Sequence, residues 1–205
     1  PGDVRSLHDA LVDALLTGGV AMAEAHSSSP ASGAEHLIAH AIDLRELADG
    51  AAPSLHGHAV AVGTLLVAAL WEVLQSRPAT AAPTQSRERR VESLGAWLPT
   101  MHDAAPAIVD AKMARELRRP DPLVLLASTA SAAPIPTVAK LRARLSAVGC
   151  PTHAAALHVD ETFLRAALLH ARDLRDRYTV LDLAYALGVL PAHVDDVIAR
   201  SGLCA

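Results

Sequence analysis

Leu7, Leu11, Ala14 and Leu15 recur with the period of an amphipathic helix, and His8, Asp9 and Asp13 fall off that stripe, so the spacing predicts a helix over residues 5–16. Gly18-Gly19 is expected to bend it. Apolar spacing then resumes through Val20, Met22 and Ala23 and stops at Ser27-Ser28-Ser29-Pro30. Ser32 followed by Glu35 is a capping-box pattern that starts the next helix at or near Ser32, and Asp49-Gly50-Ala51-Ala52-Pro53 ends it. From Leu55 to Leu74 the chain is apolar nearly all round, the pattern of a central buried helix. A short connection would fold that helix back antiparallel to the one before it. Further helices are predicted near residues 88–98, 103–117, 137–148, 160–173, 180–187 and 192–199, with boundaries good to about 2–4 residues. Loops are predicted over residues 77–85, which include Pro78 and Pro83, and over residues 130–136. No internal repeat and no strand, Gly-rich turn and helix unit of the dinucleotide-binding kind is found. The expected fold is all-α, a single helical domain over residues 1–205.

Composition agrees with that pattern. Hydrophobic residues make up 51% and charged residues 20% of the 205 positions, enough for one sizeable core, and an aromatic content of only 2% tilts an Ala- and Leu-rich chain to helix. A net charge of −4 leaves no basic footprint, and the cluster Arg87, Arg89 and Arg90 is broken by Glu88 and followed by Glu92, so nucleic-acid binding has little support and no nucleic-acid partner is expected. Cys150 and Cys204 are far apart and lack metal spacing, as suits a reducing compartment, and the cytoplasm is the expected location. No uninterrupted apolar run reaches the roughly 18 to 20 residues of a membrane span, and no leader pattern is seen, so no membrane partner is expected. The chain opens at Pro1, which fits either removal of a start methionine or a piece of a longer polypeptide. A mean hydropathy of +0.26 suits an exposed apolar face, and a homodimer or heteromer is expected.

The candidate chemistry lies in the histidines. His36 and His40 stand four apart and share one helix face, and His56 opens the helix that follows, so three imidazoles can converge near one point. Catalytic zinc commonly takes three protein ligands and keeps a fourth position open. The competing reading is a set of solvent-facing or singly hydrogen-bonded imidazoles, because 11 histidines produce some such pairs by chance. Glu35 lies about 100° round the helix from His36, and Asp43 lies one turn past His40 on its face. A three-histidine site from His36, His56 and either His40 or His58 is chemically sound. Zinc, iron and nickel all accept imidazole. Ser27, Ser28, Ser29, Ser32 and Gly33 offer either a polar entrance for an anion at the helix start or an ordinary N-cap.

The segments Ser28-Ser29-Pro30-Ala31-Ser32-Gly33-Ala34-Glu35-His36, His40-Ala41-Ile42-Asp43, Leu55-His56-Gly57 and Val62-Gly63-Thr64-Leu65-Leu66 resemble the C-terminal metal-binding domain of the sn-glycerol-1-phosphate dehydrogenase family. That family is grouped with the iron-containing alcohol dehydrogenases and dehydroquinate synthases. Leu174-Arg175-Asp176-Arg177-Tyr178-Thr179-Val180-Leu181 resembles the family's late Arg-Tyr-Thr segment. The resemblance implies that His36 and His56 are metal ligands, that His40 faces the substrate as a catalytic group, and that Ser29, Ser32 and Gly33 border the substrate. It also implies an acidic third ligand upstream of this sequence, an arginine where Ser29 stands, and a glutamate where His58 stands. His58 would then supply a nitrogen ligand in its place. NAD(P) would be held by a nucleotide-binding domain on a partner subunit or a missing part of the chain, and the substrate would be a small polyol or its phosphate. The implied activity is the metal-binding half of a polyol phosphate dehydrogenase. The alternative is a non-redox metal enzyme or a catalytically silent binding protein on the reduced scaffold.

Overall fold

A computed structural model describes residues 4–77, 84–130 and 135–204. Most of the two predicted loops, at residues 78–83 and 131–134, and the opening Pro1 lie outside the described residues. Ten α-helices and no strand are found among the described residues, joined by short 3-10 turns. The described chain divides into two compact units, residues 1–33 and 34–205.

The first unit holds α1 (Val4–Glu24) and a 3-10 turn at Ser29–Ala31. The helix runs on through Gly18-Gly19 without interruption, since the flanking residues keep helical spacing on both sides. It ends at Glu24, two residues before His26, whose φ of 45° is left-handed, and the Ser27 amide donates back to the Met22 carbonyl at 3.1 Å. The apolar residues Leu11, Leu15, Leu16 and Val20 are exposed.

The second unit is built on two helices, α2 (Ala34–Ala48) and α3 (His56–Ser76). They are antiparallel, as the sequence predicts: Glu35 lies beside Gly63, far from the connection, and Asp43 meets His56, next to it. Leu37, Ile38, Ala41 and Ile42 of α2 interlock with Ala59, Val62, Leu65, Leu66, Ala69 and Leu70 of α3 in a fully buried layer. By length and composition α3 is apolar enough to cross a membrane, yet most of its surface is covered by neighbouring helices.

Around this pair stand α4 (Arg87–Trp97), α5 (Ala105–Glu116), α6 (Pro122–Ala130), α7 (Val138–Ala147), α8 (Glu161–His170), α9 (Val180–Ala186) and α10 (Val194–Ser201). The starts of α4, α7, α8 and α9 are set by side-chain caps: Ser86 accepts from the Arg89 amide, Thr137 from that of Lys140 and Asp160 from that of Phe163, while Thr179 and Asp182 form a capping box at α9. The predicted helix over residues 160–173 is α8 followed by a 3-10 turn at Ala171–Leu174. That turn is buried and carries Asp173, which accepts from Arg90 of α4.

Candidate metal centre

The α2 and α3 pair brings His36, His40 and His56 together. The ring centroids of His40 and His56 lie 5.3 Å apart, those of His36 and His56 5.7 Å, and those of His36 and His40 6.5 Å. The i, i+4 spacing on α2 stacks two of them along one face, and the antiparallel return places the first residue of α3 opposite.

Asp43 sits in the middle of the group. The Nδ1–H of His56 donates to Asp43 Oδ2 at 2.9 Å, and His40 Nδ1 is 3.6 Å from the same oxygen. One donor atom from each of His40, Asp43 and His56 lies within 4.8 Å of the others. Two bonds of roughly 2.0–2.1 Å meeting at the tetrahedral angle put their donors about 3.4 Å apart, so the separations of 2.9 and 3.6 Å bracket what zinc requires. Two imidazoles and a carboxylate are also a donor set that zinc accepts.

His36 takes a neighbouring place: its Nδ1 is bonded to Glu35 Oε1 at 2.8 Å, which leaves Nε2 as the ring's lone-pair nitrogen. His58 is not brought into the group. It follows His56 by two residues, about 200° round α3, and is not one of the residues that share donor atoms within 4.8 Å there.

Burial, then the charge of Arg175 and the adjacent His56, hold the His40 imidazole below its ordinary range, against the opposing pull of Asp43. A neutral imidazole is the ligating form. His40, Asp43 and Arg175 also line a cavity of about 620 Å³ whose remaining wall is mostly apolar, from Leu44 and Leu47 of α2, Met101, Ile108 of α5 and Leu174. From sequence alone, Arg175 reads as a surface residue at a helix end. Its membership of the Leu174–Leu181 segment was the one signal that pointed elsewhere.

Ser29, Ser32 and Gly33 belong to the first unit, and His36, His40 and His56 belong to the second. The Ser27 and Ser29 hydroxyls are bonded to one another at 2.8 Å, and the Ser29 amide donates to Ser27 Oγ at 3.1 Å, so these hydroxyls shape a local turn.

No protein-family model matches this chain, and no solved structure matches it. Curated relatives do. The chain is 33% identical over 171 residues to a glycerol-1-phosphate dehydrogenase [NAD(P)+] of Haloarcula marismortui, a match covering 83% of this chain and 30% of that protein. It is 42% identical over 83 residues to that of Korarchaeum cryptofilum, covering 38% of this chain and 26% of the relative. Against that of Methanococcus maripaludis it is 50% identical over 62 residues, covering 30% of this chain and 19% of the relative. The chain therefore spans less than a third of each of these relatives.

Proposed function

This chain is homologous to part of glycerol-1-phosphate dehydrogenase, and from that premise we propose that it forms the metal-binding half of a polyol phosphate dehydrogenase. The observation that carries the reading is the convergence of His40, Asp43 and His56 from two adjoining helices. Zinc is the metal that this donor set suits best. When bound, it would polarise a hydroxyl or carbonyl oxygen of the substrate as a Lewis acid.

The chain's own residues have separable tasks. His40 and His56 hold the metal through neutral nitrogens. Asp43 supplies the acidic donor beside their Nδ1 atoms; without metal it accepts the His56 Nδ1–H, a proton that metal binding would displace. Glu35 holds His36 beside the group. The cavity at His40 is large enough for a small phosphorylated polyol, within the usual range for small-molecule sites of roughly 300–1,000 Å³.

No strand is present among the described residues, so they supply no strand and Gly-rich turn to cradle a pyrophosphate. Hydride transfer then depends on a nucleotide-binding body contributed by other polypeptide. The covered α3 and the unpaired Cys150 and Cys204 favour a cytoplasmic protein, and the exposed apolar residues of α1 favour assembly with a second polypeptide.

Zinc calorimetry on the purified chain and its variants tests the metal reading. One zinc per chain is expected. His56→Ala and His40→Ala abolish binding, Asp43→Asn weakens it by about 10- to 100-fold or more, and His58→Ala leaves it unchanged. Equal zinc affinity in the wild type and His56→Ala would remove this group from metal binding.

A further inference from the structure

Of the charged groups lining the cavity beside His40, two are already engaged. Asp43 serves His56 and His40, and Asp176 pairs with Arg115 at 3.3 Å. Arg175 has no hydrogen bond or ion pair with any other described residue, and it lines the same cavity as His40 and Asp43.

The backbone that carries this cation is fixed. Arg172, Asp173 and Leu174 immediately before it are buried in the second unit, with Asp173 bonded to Arg90 and the Arg172 guanidinium stacked on the Tyr185 ring at 3.9 Å. Arg175 then leaves the 3-10 turn in extended conformation (φ −146°, ψ 159°). A cation with no bonded partner, on a fixed base and at a cavity whose two carboxylates are already engaged, is a group in want of an anion.

Resting on the dehydrogenase reading above, we infer that Arg175 is the phosphate-recognising residue of this site. It receives the phosphate monoester of the substrate while the carbon chain runs along the cavity toward His40 and His56. The guanidinium offers two parallel N–H donors to phosphate oxygens, a match that a lone ammonium does not reproduce. It also supplies the positive charge that Ser29 does not.

Titrations of the full 205-residue chain without added metal, followed by NMR, test the assignment. Inorganic phosphate, glycerol 1-phosphate and glycerol are the probes. The wild type should bind glycerol 1-phosphate more tightly than glycerol. Arg175→Gln should lose about tenfold or more of the affinity for both phosphate and glycerol 1-phosphate, with glycerol unchanged, and Arg175→Lys should fall between. An Arg175→Gln protein that titrates like the wild type, or a wild type that binds glycerol 1-phosphate no better than glycerol, overturns the assignment. Zinc calorimetry on Arg175→Gln keeps the two readings apart. Unchanged zinc affinity with lost phosphate preference upholds both, whereas a wild type that takes no zinc sinks the metal reading and leaves the phosphate result standing.

Discussion

At the scale of single residues, Gly63 sets how closely α2 and α3 approach. A Cβ at this position would press into the Glu35 backbone carbonyl across the α2 and α3 contact, and a backbone atom in a helix cannot swing aside. Gly63→Ala should therefore behave as an overpacked core substitution, costing about 1–3 kcal/mol and lowering Tm by several degrees. Gly57→Ala is the matched control, since nothing lies near its added methyl group and helix propensity favours alanine by up to about 1 kcal/mol. Opposite signs in thermal denaturation are expected. A Gly63→Ala protein as stable as the wild type would mean that α2 and α3 separate easily. His36 and His40 were legible as a pair from spacing alone, and Asp43 as a residue one turn further on. The Asp43 contact with His56 was not, because it depends on how the connection between the helices closes. His58 reads as well as His56 in the sequence and differs only in angle round the axis.

At the scale of elements, a buried ionic network holds α4, α5, α9 and the Ala171–Leu174 turn to one another. Arg90, almost wholly buried, donates to Asp173 and, through two parallel bonds of 2.8 and 2.9 Å, to Glu116 of α5. Lys112 of α5, fully buried, donates to Asp182 of α9 at 2.9 Å and to the Arg177 carbonyl. Burial works against the Lys112 charge and pushes its pKa down, while it pushes Asp182 up. Removing one partner from such a set strands the others. Arg90→Met should destabilise by about 3–5 kcal/mol in urea denaturation at neutral pH.

Glu116 makes the same network sensitive to acid. Burial opposes its charge, but the Arg90 guanidinium outweighs that and holds the carboxyl below the usual range. Its contribution is complete above the unfolded value of about 4.3 and is lost as pH falls through the lower folded value. Arg90→Met should flatten that acid limb. A limb of equal steepness in both proteins would place the acid sensitivity elsewhere. These ionic contacts left no trace in the sequence, where Arg90 and Lys112 look like surface charges.

The helices themselves were largely legible. The one missed, α6, has an apolar run with no amphipathic period. Its start is nevertheless written in Asp121-Pro122: the Asp121 carboxylate accepts from the Leu123 amide at 2.8 Å, and proline occupies the first helical turn.

At the scale of the molecule, the chain matches only a part of much longer relatives. It is homologous to part of glycerol-1-phosphate dehydrogenase and spans less than a third of the relatives compared, and the described residues bring His40, Asp43 and His56 together but hold no strand and Gly-rich turn. A nicotinamide must lie within about 3–3.5 Å of the reacting carbon for hydride to move. The most direct measurement is complementation. The zinc-loaded chain is mixed with the portion of the Haloarcula marismortui relative that this chain does not match, and reduction of glycerone phosphate by NADH or NADPH is followed. Turnover is predicted only in the mixture, and it should vanish with His56→Ala. Turnover by the lone chain, or an inert mixture in which the chain still holds zinc, would contradict the account.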